Sequence, residues 1–347
     1  MSALSRYIDK RGAAVAGARG VGGAKQKAGR VRNTRRVDGD CCCCLSAFCA
    51  WTRRPRLLPL LLLLAHRWSE AVADRVDTIV MVVLDDLGHS DLGIAGSHIR
   101  TPVLDSLAHE GAILDNYHVH RACSPTRAAL MTGRYPIRYG LQSGVLEDAK
   151  PYGLALNETL LPELLNSAGW RTHMVGKWHL GHVGWNYTPT FRGYESFYGL
   201  LTGGADHFSH QSFSGGYDLR DDRGRRCGAN CSRVAWEAAG QYSTHLFTER
   251  AVEIIGSMQP AENLFLYLAY QAVHCPAQAP PEYSAPYSFP DSSRNVFAGM
   301  LAAVDEGVGN VTAALHRAQR WDTTLFIVTS DNGAPTPGGR AERTAPS

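Results

Sequence analysis

The chain has 347 residues, of which 44% are hydrophobic, and its formal net charge is +3. That charge is unevenly distributed, because residues 1–56 carry 13 Lys and Arg against three Asp and Glu, whereas the remainder carries 22 against 29. The longer part of the chain is therefore acidic, and the overall charge does not indicate a nucleic-acid-binding protein.

The first segment, residues 1–56, is a basic, Gly/Ala-rich arm of low complexity. Tyr7 is the one aromatic residue among the charges of positions 1–36, so a nucleic-acid-binding arm is not favoured. Four adjacent cysteines at 41–44 cannot converge on one metal ion without severe backbone distortion. These cysteines are therefore interpreted as sites of acylation or as part of a leader sequence. No nucleic-acid partner is predicted.

Residues 57–73 have the order of a secretory signal. Three arginines precede the apolar run Leu57–Ala65, and an A-x-A cleavage pattern follows at Ala71–Ala73. Nine apolar residues are too few to span a bilayer, so we predict cleavage near Ala73 and no stable membrane span. The expected location is the secretory pathway, with a lysosomal or extracellular product.

The composition from residue 74 onward is that of one globular domain, and its roughly 260 residues up to position 333 are enough for a large α/β core. Few cysteines remain there, so it is not a disulfide scaffold; Cys227 and Cys231 are spaced to close a short loop in an oxidising compartment. Four N-x-S/T sequons fit a glycoprotein, and they lie at Asn157, Asn186, Asn230 and Asn310.

Strand-like apolar runs alternate with helical patterns along this domain. Four runs each end in polar residues: Thr78–Leu84 before Asp85 and Asp86, Thr172–Val175 before Lys177 and His179, Leu264–Tyr270 before His274, and Thr324–Thr329 before Asp331 and Asn332. Helical periodicity covers Leu160–Ala168, Leu246–Ile255 and Val296–Leu315. The alternation predicts an α/β fold with a mainly parallel sheet covered by helices on both faces. Ligands bind outside the carboxyl ends of such strands, so these polar residues are expected to converge.

Oxygen ligands dominate the predicted cluster. Asp85, Asp86, Asp331 and Asn332 offer hard donors, which select calcium or magnesium over softer metals. Either pair alone is equally typical of a turn.

The stretch Cys123-Ser-Pro-Thr-Arg127, followed by Ala-Ala-Leu-Met-Thr-Gly-Arg, organises the rest of the chain. An apolar helical run after the proline places Cys123 at a helix N-terminus, where unpaired N–H groups and the helix dipole favour anions. Arg127 lies one turn later and offers a planar donor fork suited to a tetrahedral oxyanion. A buried structural cysteine before an ordinary helix is the competing interpretation.

This stretch resembles the signature of the type I sulfatases, Cys-x-Pro-Ser/Thr-Arg with Leu-Thr-Gly downstream, and the resemblance runs from about Asp77 to Gly333. It implies an alkaline-phosphatase-like fold in which Cys123 is converted to formylglycine by the formylglycine-generating enzyme. It also implies one calcium ion held by Asp85, Asp86, the modified Cys123, Asp331 and Asn332.

The family's catalytic roles follow from the same resemblance. Val175 to Gly181 is similar to the second sulfatase signature, and His274 matches the family's leaving-group histidine. The resemblance implies that Arg127 and the metal withdraw charge from the sulfate, that His274 or Lys177 protonates the departing oxygen, and that His179 accepts a proton when sulfate is eliminated.

Residues 135–142, 173–181 and 192–210 most resemble the arylsulfatase B group, which acts on 4-sulfated N-acetylgalactosamine in glycosaminoglycans. The predicted substrate is accordingly a sulfated glycan or an aryl sulfate. Residues 334–347 lack the family's downstream lysine and smaller C-terminal domain, so we expect a truncated catalytic domain at 74–333, a divergent tail and weak activity.

Two alternatives remain at this stage. One is a secreted sulfatase-like chain that binds calcium or glycans without turnover. The other is a phosphatase or phosphodiesterase of the alkaline phosphatase superfamily, against which Cys123 argues because those enzymes use Ser or Thr as the nucleophile.

Overall fold

The computed structural model describes residues 13–16, 75–148, 150–226 and 228–334, whose elements belong to one compact unit. Its strands are β1 Ala13–Ala16, β2 Thr78–Leu84, β3 Ala112–Leu114, β4 Arg171–Gly176, β5 Ser196–Gly199, β6 Arg220–Arg223, β7 Ser232–Val234, β8 Leu264–Ala269 and β9 Thr324–Ser330. Its α-helices are α1 Pro102–Glu110, α2 Cys123–Thr132, α3 Leu161–Ser167, α4 Ser243–Ser257, α5 Pro281–Ser284 and α6 Ser292–Arg317.

The nine strands form one sheet in the order β3-β1-β9-β2-β8-β4-β5-β6-β7. Every pairing from β3 to β5 is parallel, and β6 and β7 extend the sheet in antiparallel fashion. Parallel neighbours need long crossover connections, which is why helices alternate with these strands in the sequence. The predicted mainly parallel sheet is confirmed.

The register of the central strands brings their carboxyl ends level with one another. Leu84 of β2 lies opposite Ser330 of β9, and Ala269 of β8 lies opposite Gly176 of β4. The residues that follow these four strands therefore leave the sheet at the same edge. This register is what assembles the polar residues predicted from the strand ends.

Helices cover both faces of the sheet. Alternate residues of β2 enter two separate apolar clusters, with Val80 and Val82 in one and Met81 and Val83 in the other. The first cluster includes buried residues of α1, α4 and α6, and the second includes residues of α2. Burial on both faces explains why the strand sequences are continuously apolar instead of alternating.

The structure adds elements that the sequence patterns did not predict. Strands β3, β5, β6 and β7 are short, and β6 has the fully charged sequence Arg-Asp-Asp-Arg. The basic arm contributes β1, which lies between β9 and β3. The rest of that arm, the predicted signal at 57–73, Cys227 and positions 335–347 lie outside the described residues.

Two further predictions concern a disulfide and a membrane span. Cys231 is disulfide-bonded, as expected for one member of the predicted loop-closing pair. Among the described residues, no helix is both long enough and apolar enough to cross a membrane.

Candidate active site

The candidate active site lies at the carboxyl edge of the sheet, beyond β2, β4, β8 and β9. Nearly all of the predicted polar residues are buried there: Asp85, Asp86, Arg127, Lys177, His179, Asp331 and Asn332. His274 is also at the site, with 17% of its side chain exposed. The structure therefore brings together every residue that the sequence singled out.

Helix α2 presents Cys123 to this cluster. Ala122 is extended and caps the helix without a side-chain hydrogen bond, and Pro125 lies in the first turn, where its missing N–H costs nothing. The Cys123 thiol donates to Asp85 Oδ1 across 3.5 Å. The prediction that Cys123 begins a helix is confirmed, and Cys123 is a buried free cysteine.

A buried network of charges surrounds the thiol. Arg127 Nε contacts Asp331 Oδ2 at 2.9 Å, and Arg127 Nη2 lies 3.5 Å from Asp85 Oδ2. Lys177 Nζ donates to the same Asp85 oxygen across 2.5 Å. Burial alone would lower the pKa of Lys177, but the adjacent Asp85 carboxylate raises it, so the ammonium stays charged. The charged side chains of Arg127 and Lys177 are thus held against the Asp85 carboxylate in a buried cluster.

The cluster also has the donor set of a cation site. Ligand atoms of Asp85, Asp86, Cys123 and His274 all lie within 4.8 Å of one another. Asn332 donates through Nδ2 to Asp86 and to the Gly333 carbonyl, which leaves its buried Oδ1 without a hydrogen-bond partner. A buried acceptor without a donor is costly, and a cation would satisfy it. The carboxylates of Asp85 and Asp86 and the amide oxygen of Asn332 therefore fit a hard metal ion, whereas the Cys123 thiol and His274 are not hard donors.

His179 is held as a neutral imidazole. Burial lowers its pKa well below the usual range, and the charges of Lys177 and Arg127 lower it further. Its Nε2 lies 2.9 Å from the Leu146 carbonyl, which can only accept, so Nε2 carries the proton and Nδ1 has the lone pair. Nδ1 is buried without a partner and is free to accept a proton.

His274 has the opposite character. Burial would lower its pKa, but the negative charge of Asp85, assisted by Asp86, raises it to about 9. Its Nε2 lies 3.7 Å from Asp86 Oδ2, while Nδ1 lies 2.7 Å from the Cys275 carbonyl. His274 is therefore protonated at neutral pH and can donate a proton.

The backbone at the site adopts conformations that are rare elsewhere. Asp86 and His179 have φ angles of 60° and 56°, in the left-handed region that non-glycine residues seldom occupy. Gly176 has φ of 102°, and a Cβ there would collide with the Ala269 carbonyl. Such strain persists where the surrounding structure holds it, which is typical of functional sites.

Sequence reasoning missed the residues that hold these groups in place. Ser124 donates to the His179 carbonyl across 3.0 Å and accepts from the Leu146 amide, so it links α2 to the backbone of His179 and to the residue whose carbonyl contacts the imidazole. Gly203 packs against the His179 ring, since a Cβ there would lie 2.7 Å from it. In the sequence, only the adjacent glycines Gly203 and Gly204 form a local pattern that could have indicated this part of the site.

Comparison with known proteins identifies this arrangement. The sulfatase family profile matches residues 77–346 of the chain. The chain belongs to the sulfatase family. Mouse arylsulfatase J is 41% identical over 268 residues, covering 75% of this chain and 43% of that protein. Human N-acetylgalactosamine-6-sulfatase is 32% identical over 285 residues, covering 76% of this chain and 51% of that protein.

Solved structures agree with the family. The chain has a TM-score of 0.67 and 32% identity to Ps i-CgsB in complex with k-i-k-neocarrahexaose, covering 75% of this chain and 59% of that one. A Vibrio parahaemolyticus protein of the alkaline phosphatase superfamily, 17% identical, shares the fold alone with a TM-score of 0.50. The alkaline-phosphatase-like sulfatase fold is thus confirmed. The chain spans about half the length of the curated relatives it matches.

Proposed function

We propose that this sulfatase is a sulfuric ester hydrolase of the arylsulfatase B type, removing the 4-sulfate of N-acetylgalactosamine from glycosaminoglycans. The observation that carries the proposal is the position of Cys123, within its Cys-x-Pro-x-Arg signature, at a helix N-terminus beside Arg127, Lys177 and protonated His274. Helix N–H groups and these cations together suit a sulfate ester. The relatives named arylsulfatase J and N-acetylgalactosamine-6-sulfatase support a sulfated aryl or N-acetylgalactosamine substrate, and the second is named for the 6-sulfate and not the 4-sulfate.

The proposal requires conversion of Cys123 to formylglycine. Burial raises the pKa of the unmodified thiol, and Asp85 and Asp331 raise it further despite Lys177 and Arg127. A neutral thiol is a poor nucleophile, because the thiolate is the reactive form. When formed, the hydrated aldehyde supplies one hydroxyl to attack sulfur and a second from which sulfate is eliminated.

The charged residues would then hold the sulfate group. Arg127 Nη2 is buried and makes no hydrogen bond, although it lies 3.5 Å from Asp85 Oδ2, so it can donate to a sulfate oxygen beside Cys123. Asp331 and the Lys177 carbonyl fix the other guanidinium nitrogens at 2.9 and 2.8 Å, which aims the free nitrogen. A preorganised donor of this kind stabilises the charge that develops during transfer.

Proton transfers divide between the two histidines. His274 is protonated and partly exposed, so it donates to the departing ester oxygen on the open side of the site. Lys177, fully buried against Asp85, is less suited to that role. His179 Nδ1 has the free lone pair needed to accept the proton released when sulfate is expelled.

Sulfate release tests the function directly. The chain is coexpressed with the formylglycine-generating enzyme and incubated with 4-sulfated and with 6-sulfated chondroitin disaccharides, and free sulfate is measured by ion chromatography. Preferential release from the 4-sulfated substrate is expected. Preference for the 6-sulfated substrate would overturn the proposed specificity, and binding without release would favour a non-catalytic glycan-binding protein.

Asp85, Asp86, Asp331 and Asn332, together with the modified Cys123, would hold a calcium ion that withdraws charge from the sulfate oxygens. Calcium at about 100 times its dissociation constant is expected to stabilise the fold by about 2.7 kcal/mol and to raise the melting temperature by about 5 °C. Differential scanning calorimetry measures this shift without any catalysis.

A matched pair of variants makes the calcium prediction specific. Asn332→Leu removes the buried amide oxygen that has no hydrogen-bond partner, and it is expected to abolish the rise in melting temperature with calcium. Glu147→Gln is the control, because Glu147 forms an exposed ion pair with Lys150, and it is expected to keep that rise. An equal shift in both variants would place the ion elsewhere.

We also propose that the protein is secreted or lysosomal. The signal-like pattern of residues 57–73 supports this, as does the disulfide at Cys231, since disulfides persist in oxidising compartments. N-terminal sequencing of the product from eukaryotic cells is expected to begin just after Ala73. An intact Met1 on a cytosolic product would contradict the proposal.

A further inference from the structure

An exposed aromatic ring stands at the open side of the site. Phe213 is 58% exposed although it is a large apolar residue. Its ring lies 6.0 Å from that of His274, centroid to centroid, at an interplanar angle of 35°. Gly204 lies beneath the pair, because a Cβ there would be 2.7 Å from the Phe213 ring and 3.3 Å from His274. The ring is therefore positioned beside the imidazole that faces the departing group.

The loop that carries Phe213 is held in place. Ser212 donates through its amide to Gly216 across 2.8 Å, and Gly215 donates back to Ser212, which closes a turn with Phe213 at its tip. The hydroxyls of Ser212 and Ser214 lie 3.0 Å apart. These hydrogen bonds hold the base of the turn, so that the Phe213 ring at its tip is presented to solvent.

Asp148 anchors the turn to the rest of the site. Its Oδ1 accepts from the Gly203 amide at 3.1 Å, and its Oδ2 accepts from Ser214 Oγ at 3.3 Å. The loop that contains Asp148 also supplies the Leu146 carbonyl to His179. One carboxylate therefore connects the Phe213 turn to the segment beside His179, so the exposed position of the ring is built into the site.

We infer that Phe213 is a specificity-determining residue, a platform against which the sulfated sugar ring of the substrate stacks. The inference rests on the proposed function, in which the ester oxygen of the bound substrate lies beside His274. The atom bonded to that oxygen must lie near His274, and when sulfate is attached directly to a ring carbon, the ring itself reaches Phe213. An aromatic face pairs well with the apolar C–H face of a pyranose.

This placement defines the substrate class more closely. A sulfate on an exocyclic carbon puts the sugar ring one bond farther from the sulfur, so its contact with the platform is weaker. The geometry favours ring-bonded sulfates, such as a 4-sulfate, and sulfated aromatic rings over primary or alkyl sulfates.

Replacing Phe213 with alanine tests the platform. For a 4-sulfated disaccharide, KM is expected to rise about tenfold with little change in kcat, as the loss of one aromatic contact predicts. The inhibition constant of inorganic sulfate is expected to stay unchanged, because sulfate does not reach the ring. Phe213→Tyr is expected to restore KM. Tyr135→Ala, an exposed aromatic beyond the far end of α2, serves as the control and is expected to leave KM unchanged.

Equilibrium binding separates this inference from the proposed function. In the Cys123→Ala background, Phe213→Ala is expected to weaken binding of the 4-sulfated disaccharide about tenfold by calorimetry, whether or not the parent enzyme turns over. Equal affinity in the two proteins, no measurable binding to Cys123→Ala, or a parallel loss of inorganic sulfate binding would each overturn the platform.

Discussion

Replacing Cys123 with alanine is expected to abolish sulfate ester hydrolysis, a loss of at least a thousandfold in kcat. The side chain is the proposed nucleophile precursor; its neighbours Arg127 and Lys177 are cations that can hold a sulfate but cannot attack it, and Asp85 has the same sign of charge as the sulfate. Turnover of an aryl sulfate after coexpression with the formylglycine-generating enzyme measures the effect.

Cys123→Ser provides the sharper comparison, because serine has a hydroxyl but cannot become formylglycine by the same route. Its sulfate ester has no second hydroxyl from which sulfate is eliminated, so we expect one slow turnover and a protein heavier by one sulfuryl group. Mass spectrometry of the intact protein detects that adduct. Steady turnover by Cys123→Ser at the parental rate would contradict the formylglycine mechanism.

Removing Asp85 is expected to destabilise the fold by about 3–5 kcal/mol in calcium-free buffer, the usual cost of leaving a buried charge unpaired. Asp85 is the partner of the buried Lys177 ammonium at 2.5 Å and faces the Arg127 guanidinium. Asp85→Ala leaves the ammonium without that carboxylate in a site closed to water. The midpoint of urea unfolding, followed by circular dichroism, reports the change.

Two controls separate a buried ion pair from a general effect of mutation. Lys150→Ala breaks an exposed pair with Glu147 and is expected to cost less than about 1 kcal/mol. The double variant Asp85→Leu and Lys177→Met removes both charges, and we expect it to recover most of the lost stability while remaining inactive. If the double variant is no more stable than Asp85→Ala, the unpaired ammonium is not the cause.

The sequence predicted the centre of the sheet well because the physical signals there are strong. Residues 78–84 are apolar on both faces, and the predicted strand matches β2 at both ends. The predicted strands differ from β8 and β9 by one residue at one end and from β4 by one residue at each end, as expected where chains leave a sheet. Since the site residues other than Cys123 and Arg127 follow such strands, their convergence could be predicted as well, whereas those two lie in helix α2.

The antiparallel edge could not be predicted, because its burial depends on charge pairing. Asp221 of β6 is fully buried, and three arginines contact its carboxylate: Arg223, Arg233 and Arg250. No apolar pattern marks such a strand, and only the fold brings the arginines together. The same limit applies to Phe213, whose significance depends on its place beside His274 and on no local motif.

The order of strands in the sheet has a consequence for how the protein acquires its structure. β2 emerges early from the ribosome, yet its neighbours are β8 and β9, whose residues are nearly 200 and 250 positions later. Helix α1 depends in the same way on Asp305, which accepts hydrogen bonds from the amides of Val103 and Leu104. Pairings so distant in sequence form slowly, because a long loop must close before any contact stabilises it. The apolar β2 strand therefore lacks its native neighbours until β8 and β9 have been synthesised, and its apolar surface stays exposed to association during that interval.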